Sequence, residues 1–192
     1  RQIVTKLLQF ARPGDFAGYV DEVDVNAVLA DCLLLTRHNL DKRSVAVAQQ
    51  LDASVAVEIN RSELQQVLIN LIVNALQAMP AGGTLTLASA NWVEHDQVIG
   101  VVLRVRDTGQ GIAPENLSTI FDPFFTTKKG SGTGLGLSIS YAIVERYGGH
   151  LSVDSRLGEG AEFAVWLRRE PVYDAAPEAP RFMRRWDIAG RE

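Results

Sequence analysis

Asp107-Thr108-Gly109-Gln110-Gly111-Ile112 follows closely on the run Val101-Val102-Leu103-Arg104-Val105, so a carboxylate and two glycines stand at the end of a β-prone segment. A second glycine cluster lies downstream, Gly130-Ser131-Gly132-Thr133-Gly134-Leu135-Gly136-Leu137, and Asn70 and Asn74 lie upstream in an apolar helical pattern. One glycine run would be explained by turns and bulges that need a positive φ. Two clusters, with one carboxylate at a strand end and two amides on one helix face, divide into base reader, metal ligand and phosphate cradle. They point to a nucleotide site.

Working outward, the segments 84–91 and 98–105 are β-rich and joined by a polar loop, which predicts an antiparallel pair ending at Asp107. Upstream, Leu64, Val67, Leu68, Leu71, Ile72, Ala75, Leu76 and Met79 form one helical stripe, with Ser62 as its expected N-cap and Pro80 and Gly82-Gly83 as its end. Before it the pattern gives a short strand at 23–25, a helix capped by Asn26 and running to about Lys42, and an alternating strand at 45–51. Between Gly109 and Gly132 no long periodic element appears, which in a compact domain marks a functional lid or a disordered stretch. Gly134 is expected to open a helix through Tyr147 with Leu135, Ile139, Ala142 and Ile143 inward, and Gly148-Gly149 closes it. Strands at 150–154 and 162–168, joined through Gly158-Glu159-Gly160, complete the expected domain.

The ends differ in character. Ile3, Val4, Leu7, Leu8 and Ala11 repeat at helical spacing before Pro13-Gly14, and no N-cap precedes Arg1, so this segment reads as the tail of a longer helix. Beyond Arg169 the chain turns rich in Pro and Ala, as a flexible linker would, and ends on the basic, aromatic Arg181-Phe182-Met183-Arg184-Arg185-Trp186. Phe182 and Trp186 would share one helix face there, although a disordered tail is the plainer reading. The expected organisation is a helix end at 1–13, a linker at 14–22, a catalytic domain at 23–169 and a flexible tail at 170–192.

Of the 192 residues, 46% are hydrophobic and 22% charged, as in an ordinary globular protein able to bury a core. The net charge of -4 argues against a broad basic surface for nucleic acid. Cys32 sits among Val28, Leu29, Leu33 and Leu35 and reads as a small buried hydrophobe. With no signal-peptide core and no apolar stretch near the roughly 20 residues that span a bilayer, the expectation is a cytoplasmic fragment without membrane contact. A longer parent anchored to the inner membrane is compatible with this.

Asn70 and Asn74, four residues apart, project from one helix face. Amide carbonyls are hard oxygen donors that suit Mg²⁺, which fills its octahedron with water and phosphate oxygens; alternatively, the two amides satisfy a nearby loop backbone. Asp107 is placed to accept from the exocyclic amine of adenine, where guanine offers a carbonyl, so ATP is favoured over GTP; otherwise it merely begins a turn. The alternating glycines 130–136 lead into a helix whose unpaired N–H groups suit phosphate, and Lys128 and Lys129 stand just upstream as candidate γ-phosphate cations. No Gly-Lys-Ser/Thr ends this run and it follows a lid rather than a first strand, so it is neither a Walker A loop nor a dinucleotide fingerprint.

The order Asn70-x-x-x-Asn74, Asp107-x-Gly109-x-Gly111, Phe121-Asp122-Pro123-Phe124-Phe125, Gly132-Thr133-Gly134-Leu135-Gly136 and Gly158-Glu159-Gly160 resembles the N, G1, F, G2 and G3 boxes of the catalytic ATP-binding domain of sensor histidine kinases, within the gyrase, Hsp90, histidine kinase and MutL superfamily. The run Pro123-Phe124-Phe125-Thr126-Thr127-Lys128 is similar to the nitrogen-regulation type. The resemblance implies an α/β (α+β) two-layer sandwich of the Bergerat type, a mixed β-sheet with helices packed on one face. It further implies that Asn74 holds Mg²⁺ with Asn70 in support, that Asp107 reads adenine, that residues 121–125 anchor the lid and that 132–136 cover the phosphates. Gly109, Gly111, Ile112, Phe121, Thr127, Gly132, Thr133, Gly134, Leu135, Gly136 and Leu137 are then the nucleotide-contacting set, with Asn70 and Lys128 as the catalytic pair.

The family's phosphoacceptor is a His followed by an acidic residue on a dimerisation helix, and none of His38, His95 or His150 has that context. Residues 1–12 then resemble the distal end of a second dimerisation helix. The implied activity is transfer of the ATP γ-phosphoryl group to a histidine on a separate dimerisation domain, for relay to an aspartate on a response-regulator receiver domain, within a homodimeric parent. Superfamily ATPases carry a water-activating carboxylate where this chain has Asn70, and an amide cannot take a proton from water, which favours transfer over hydrolysis. Two other functions remain open: an ATP-dependent binding module without phosphotransfer, and a protein serine kinase of the anti-sigma type. The helix end at 1–12 argues against the second.

Overall fold

In the computed structural model, which describes residues 19–127 and 133–171, the chain runs β1 (Asp21–Val23), α1 (Val25–Lys42), β2 (Val45–Leu51), β3 (Val57–Ile59), α2 (Arg61–Ala78), β4 (Gly83–Glu94), β5 (Gln97–Asp107), α3 (Gly136–Arg146), β6 (His150–Arg156) and β7 (Gly160–Arg168). The expected helix end at 1–13, most of the linker at 14–22, and the tail beyond 171 lie outside the described residues.

Five strands form one mixed sheet in the order β2-β4-β5-β7-β6, with β2 parallel to β4 and every other pair antiparallel. A separate antiparallel pair, β1 and β3, closes the other end. The period-2 alternation of β5 sends Val101, Leu103 and Val105 to the helix-covered face. Asp107 continues that register, and a carboxylate therefore ends up 3% exposed at the edge of the core. On the opposite face, Trp92 and Trp166 meet edge to face at 5.5 Å, with the Arg168 guanidinium 4.9 Å from the Trp92 ring and that of Arg104 6.0 Å from Trp166. These stacked side chains shield the sheet where no helix does.

Helix α2 is central, packing against α1, α3 and the sheet. It buries Leu64, Val67, Leu68, Leu71, Ile72, Ala75 and Leu76, the three-and-four repeat of a core-facing helix. At its first turn Glu63 receives bonds from the Arg146 guanidinium and, at 2.6 Å, the Tyr147 hydroxyl, tying it to the far end of α3. Asn70 makes the second tie, near the start of α3.

Several boundaries differ from the sequence reading, each for a local reason. Asp24 caps α1 in place of Asn26, accepting from Asn26 N at 2.9 Å, while the Asn26 side chain turns inward to Ala53 O and Ser89. Asn60 caps α2 in place of Ser62, accepting from Glu63 N at 3.1 Å. β1 lies at Asp21–Val23, partly within the expected linker, because it pairs with β3, a strand of three residues that alternation cannot reveal. β4 and β5 extend to a two-residue turn in which His95 and Asp96 both have positive φ, 49° and 61°, the twist-matched hairpin geometry. β6 and β7 each run two residues further toward their shared turn than expected. Helix α3 begins at Gly136 and not Gly134, whose φ of 67° lies outside helical space, and ends at Arg146.

Leu71 is fully buried between α2 and its neighbours, so Leu71→Ala is expected to cost about 2–5 kcal/mol through lost burial and a residual cavity. A shift of the urea midpoint with unchanged slope is the check.

Candidate nucleotide-binding site

A cavity of about 530 Å³ opens between α2, the end of β5, the segment after it and the start of α3. Helix α2 contributes Asn70, Val73, Asn74, Gln77 and Ala78, a second stripe adjoining the buried one. The amides thus reach the cleft because their neighbours at 67, 68, 71 and 72 are held in the core.

Asp107 forms the base of one end. Its Oδ1 accepts from Gly109 N at 2.8 Å. Burial pushes its carboxyl above the ordinary value, opposed by the N–H groups of Gly109 and Ala161. The walls around it are fitted backbone to backbone. A Cβ on Gly109 would lie 2.4 Å from Ala78 O, one on Gly111 1.9 Å from Arg156 O, and one on Gly160 2.0 Å from Asp107 O. The space left by these glycines is taken by the chain itself: Gly109 and Gly111 seat their loop against α2 and the β6–β7 turn. Gln110 N donates to Ala78 O at 3.1 Å and Gly158 N to Gln110 O at 2.7 Å, closing this end.

The start of α3 forms the other end. Leu135 at its N-cap makes no side-chain cap; Gly134, Gly136 and Leu137 line the cavity, so the first turn of α3 borders the cleft. Such a terminus suits an anion. Asn70 bridges to it, its Nδ2 donating to Gly136 O and to Ser140 Oγ, each at 3.3 Å. Among the described residues no cluster of three or more His, Cys, Asp or Glu could hold a metal. The donor set is instead amide oxygen beside a phosphate-suited terminus, which fits a Mg²⁺ that takes most of its ligands from nucleotide and water.

The segment after Gly111 covers the cleft. Asn116, Ile120, Phe125, Thr126 and Thr127 line it, Asn116 closing a 3₁₀ turn at Pro114–Asn116. The three aromatics expected to anchor it part ways. Phe125 is half-buried against the core, and Phe121 packs on Tyr141 with ring centroids 5.3 Å apart. Phe124 stays 63% exposed with a φ of 68°, its N–H donating to Gly134 O at 2.9 Å. A Cβ on Gly134 would come within 2.3 Å of the Phe124 carbonyl carbon, so this glycine admits the lid backbone.

Of the residues singled out in the sequence, Asn70, Asn74, Asp107, Gly111, Ile112, Thr127, Thr133, Gly134, Gly136 and Leu137 line the cavity together. Gly109 supports Asp107 from behind, while Phe121 and Leu135 sit in or against the core. Lys128 and Gly132 lie outside the described residues. The cavity also draws in Gln77, Gln110, Leu157, Ala161 and Phe163. Gln77 was findable, three residues beyond Asn74 on the same face, whereas Leu157 arrives through a turn that only tertiary structure brings near. His38, His95 and His150 line none of it.

Residues 59–171 match the family model described as histidine kinase-, DNA gyrase B- and HSP90-like ATPase. The sensor histidine kinase ZraS of Escherichia coli (strain K12) is 34% identical over 167 residues, covering 86% of this chain and 34% of that protein, so the chain spans about a third of its relative's length. The catalytic domain of histidine kinase ThkA superposes with a TM-score of 0.70 at 30% identity, over 80% of this chain and 100% of that one. Full-length ShkA in complex with AMPPNP gives a TM-score of 0.76 at 27% identity, over 90% of this chain and 36% of that one. The fold, the ordered motifs and these likenesses agree: the chain belongs to the histidine kinase-, DNA gyrase B- and HSP90-like ATPase family, and its domain is of the sensor histidine kinase catalytic type.

Proposed function

We propose that the cleft binds Mg·ATP and presents its γ-phosphoryl group to a histidine on a separate dimerisation domain, for relay to a response-regulator receiver domain. One observation carries this reading. A desolvated carboxylate, Asp107, and an amide pair on one face of α2, Asn70 and Asn74, the first of them bonded to the start of α3, line a single cleft. Asp107 accepts from the adenine amine, its other acceptor capacity being fixed by Gly109 N. Asn74, with Asn70 in support, supplies amide oxygen to the cation, and the α3 terminus with Thr133 and Gly134 holds phosphate. The bound cation supplies charge neutralisation across the phosphate oxygens.

The reacting nitrogen of a neutral imidazole carries a lone pair and needs no base to expose it. Water does need one, and Asn70 stands where a carboxylate would have to stand. The chain's own contribution is therefore positioning and electrostatics. In the parent the domain works within a homodimer. The decisive experiment supplies a histidine-bearing dimerisation domain and follows label from γ-labelled ATP. Label on histidine is expected, and nucleotide binding without transfer would favour a nucleotide-gated binding module.

Asp107→Asn keeps an oxygen for Gly109 N but turns an acceptor into a donor, and ATP binding is expected to weaken by about 1.5–3 kcal/mol by calorimetry. The same carboxyl sets a pH signature. Its raised pKa means that the cost of its buried charge is present above that pKa and relieved as pH falls through it. ATP affinity should therefore drop on acidification at a higher pH than an ordinary carboxylate would titrate, without loss of fold stability from this group. Asp107→Asn should lack that step.

Asn74→Ala is expected to keep its melting temperature while losing the Mg²⁺ dependence of ATP binding, since one ligand oxygen is removed from an intact helix. Amide exchange over 119–127 should slow when Mg·ATP binds while β5 and β7 change little, as measured by mass spectrometry.

A further inference from the structure

Ser138 and Ser140 are buried serines two residues apart on α3, at 5% and 0% exposure, and they face different partners. The Ser138 hydroxyl donates to Leu135 O at 3.0 Å, a bond within its own turn. The Ser140 hydroxyl donates to Gly136 O at 3.0 Å and accepts from Asn70 Nδ2 at 3.3 Å. A hydroxyl has one proton. With that proton directed to Gly136 O, Ser140 offers Asn70 only a lone pair, and Gly136 O, the other partner of Nδ2, is also an acceptor.

Two acceptors facing one amide admit its NH₂ and repel its carbonyl. The NH₂ is thereby spent on α3, and Oδ1 is the part of this cavity-lining side chain that accepts nothing from the described residues. With the amide reversed, Oδ1 would face two acceptors and two N–H donors would stand where the cation binds. We infer that Ser140 is a positioning residue that sets the polarity of the Asn70 amide, so that Asn70 turns a carbonyl oxygen toward the cation accompanying the nucleotide phosphates. The inference rests on the Mg·ATP reading of the cleft. It extends that site by one side chain that lies behind it and does not line it.

Ser140→Ala removes the acceptor, and Ser138→Ala is the matched control, the same change on the same helix without a bond to Asn70. In calorimetric ATP titrations at graded Mg²⁺, Ser140→Ala is expected to raise the Mg²⁺ concentration for half-maximal effect about fivefold, the equivalent of one ordinary hydrogen bond. Ser138→Ala should leave it unchanged. In the protein free of nucleotide and metal, NMR should show faster exchange of the Asn70 side-chain amide protons in Ser140→Ala alone. Ser140→Cys fills the space that alanine would leave and weakens the acceptor, and it should shift both readouts in the same direction if alanine lowers the melting temperature. Unchanged Mg²⁺ dependence and exchange in the Ser140 variants, against a Mg²⁺-dependent wild type, would overturn the inference alone. Wild-type ATP binding without Mg²⁺ dependence would overturn the reading of the cleft and the inference with it.

Discussion

The burial of one stripe of α2 dictates where its neighbouring stripe points. Leu64, Leu68, Leu71 and Ile72 cannot leave the core without exposing a large apolar area, so the helix cannot rotate, and the packing of one stripe keeps Asn70 and Asn74 at the cleft. The same helix receives α3 at two places, through Glu63 near one end and Asn70 near its middle. The start of α3, with its uncapped N–H groups, is thereby fixed relative to the amides. The amide pair and the helix terminus share one rigid frame.

Much of this was legible because periodicity carries it. The α2 stripe, the amide pair four residues apart and the β4–β5 pair ending at Asp107 all follow from spacings of 3.6 and 2. What escaped had no period to show. β3 is a strand of three residues whose reality lies in its pairing with β1, and the caps Asp24 and Asn60 won over Asn26 and Ser62 because two capable residues stood within two positions of each other. The spacing of the glycines pointed to the right loops, but Gly109 and Gly111 proved to be contacts of backbone on backbone, visible only once Ala78 and Arg156 had been brought across from other elements. Cys32 was read as a buried apolar residue and is one: burial pushes its thiol up to about 12, leaving it protonated.

The two ends of the cleft differ in construction. At Asp107 the walls are the sheet, with β5, the β6–β7 turn and the end of α2 meeting through glycines that leave no room for a side chain. At the α3 end the wall is the lid, whose described part hangs on Phe121, Phe125 and the Phe124–Gly134 contact. Tightening the first would mean rebuilding the sheet, whereas the second rests on a few side-chain and loop contacts.

That asymmetry bears on turnover. The Asp107 end is joined to the sheet by the close approach of Gly160 to Asp107, which leaves it little room to change shape. If the cleft holds ATP as proposed, the spent diphosphate retains every contact made at that end and competes with the next triphosphate. The domain would then respond to the ratio of triphosphate to diphosphate around it more than to the amount of either.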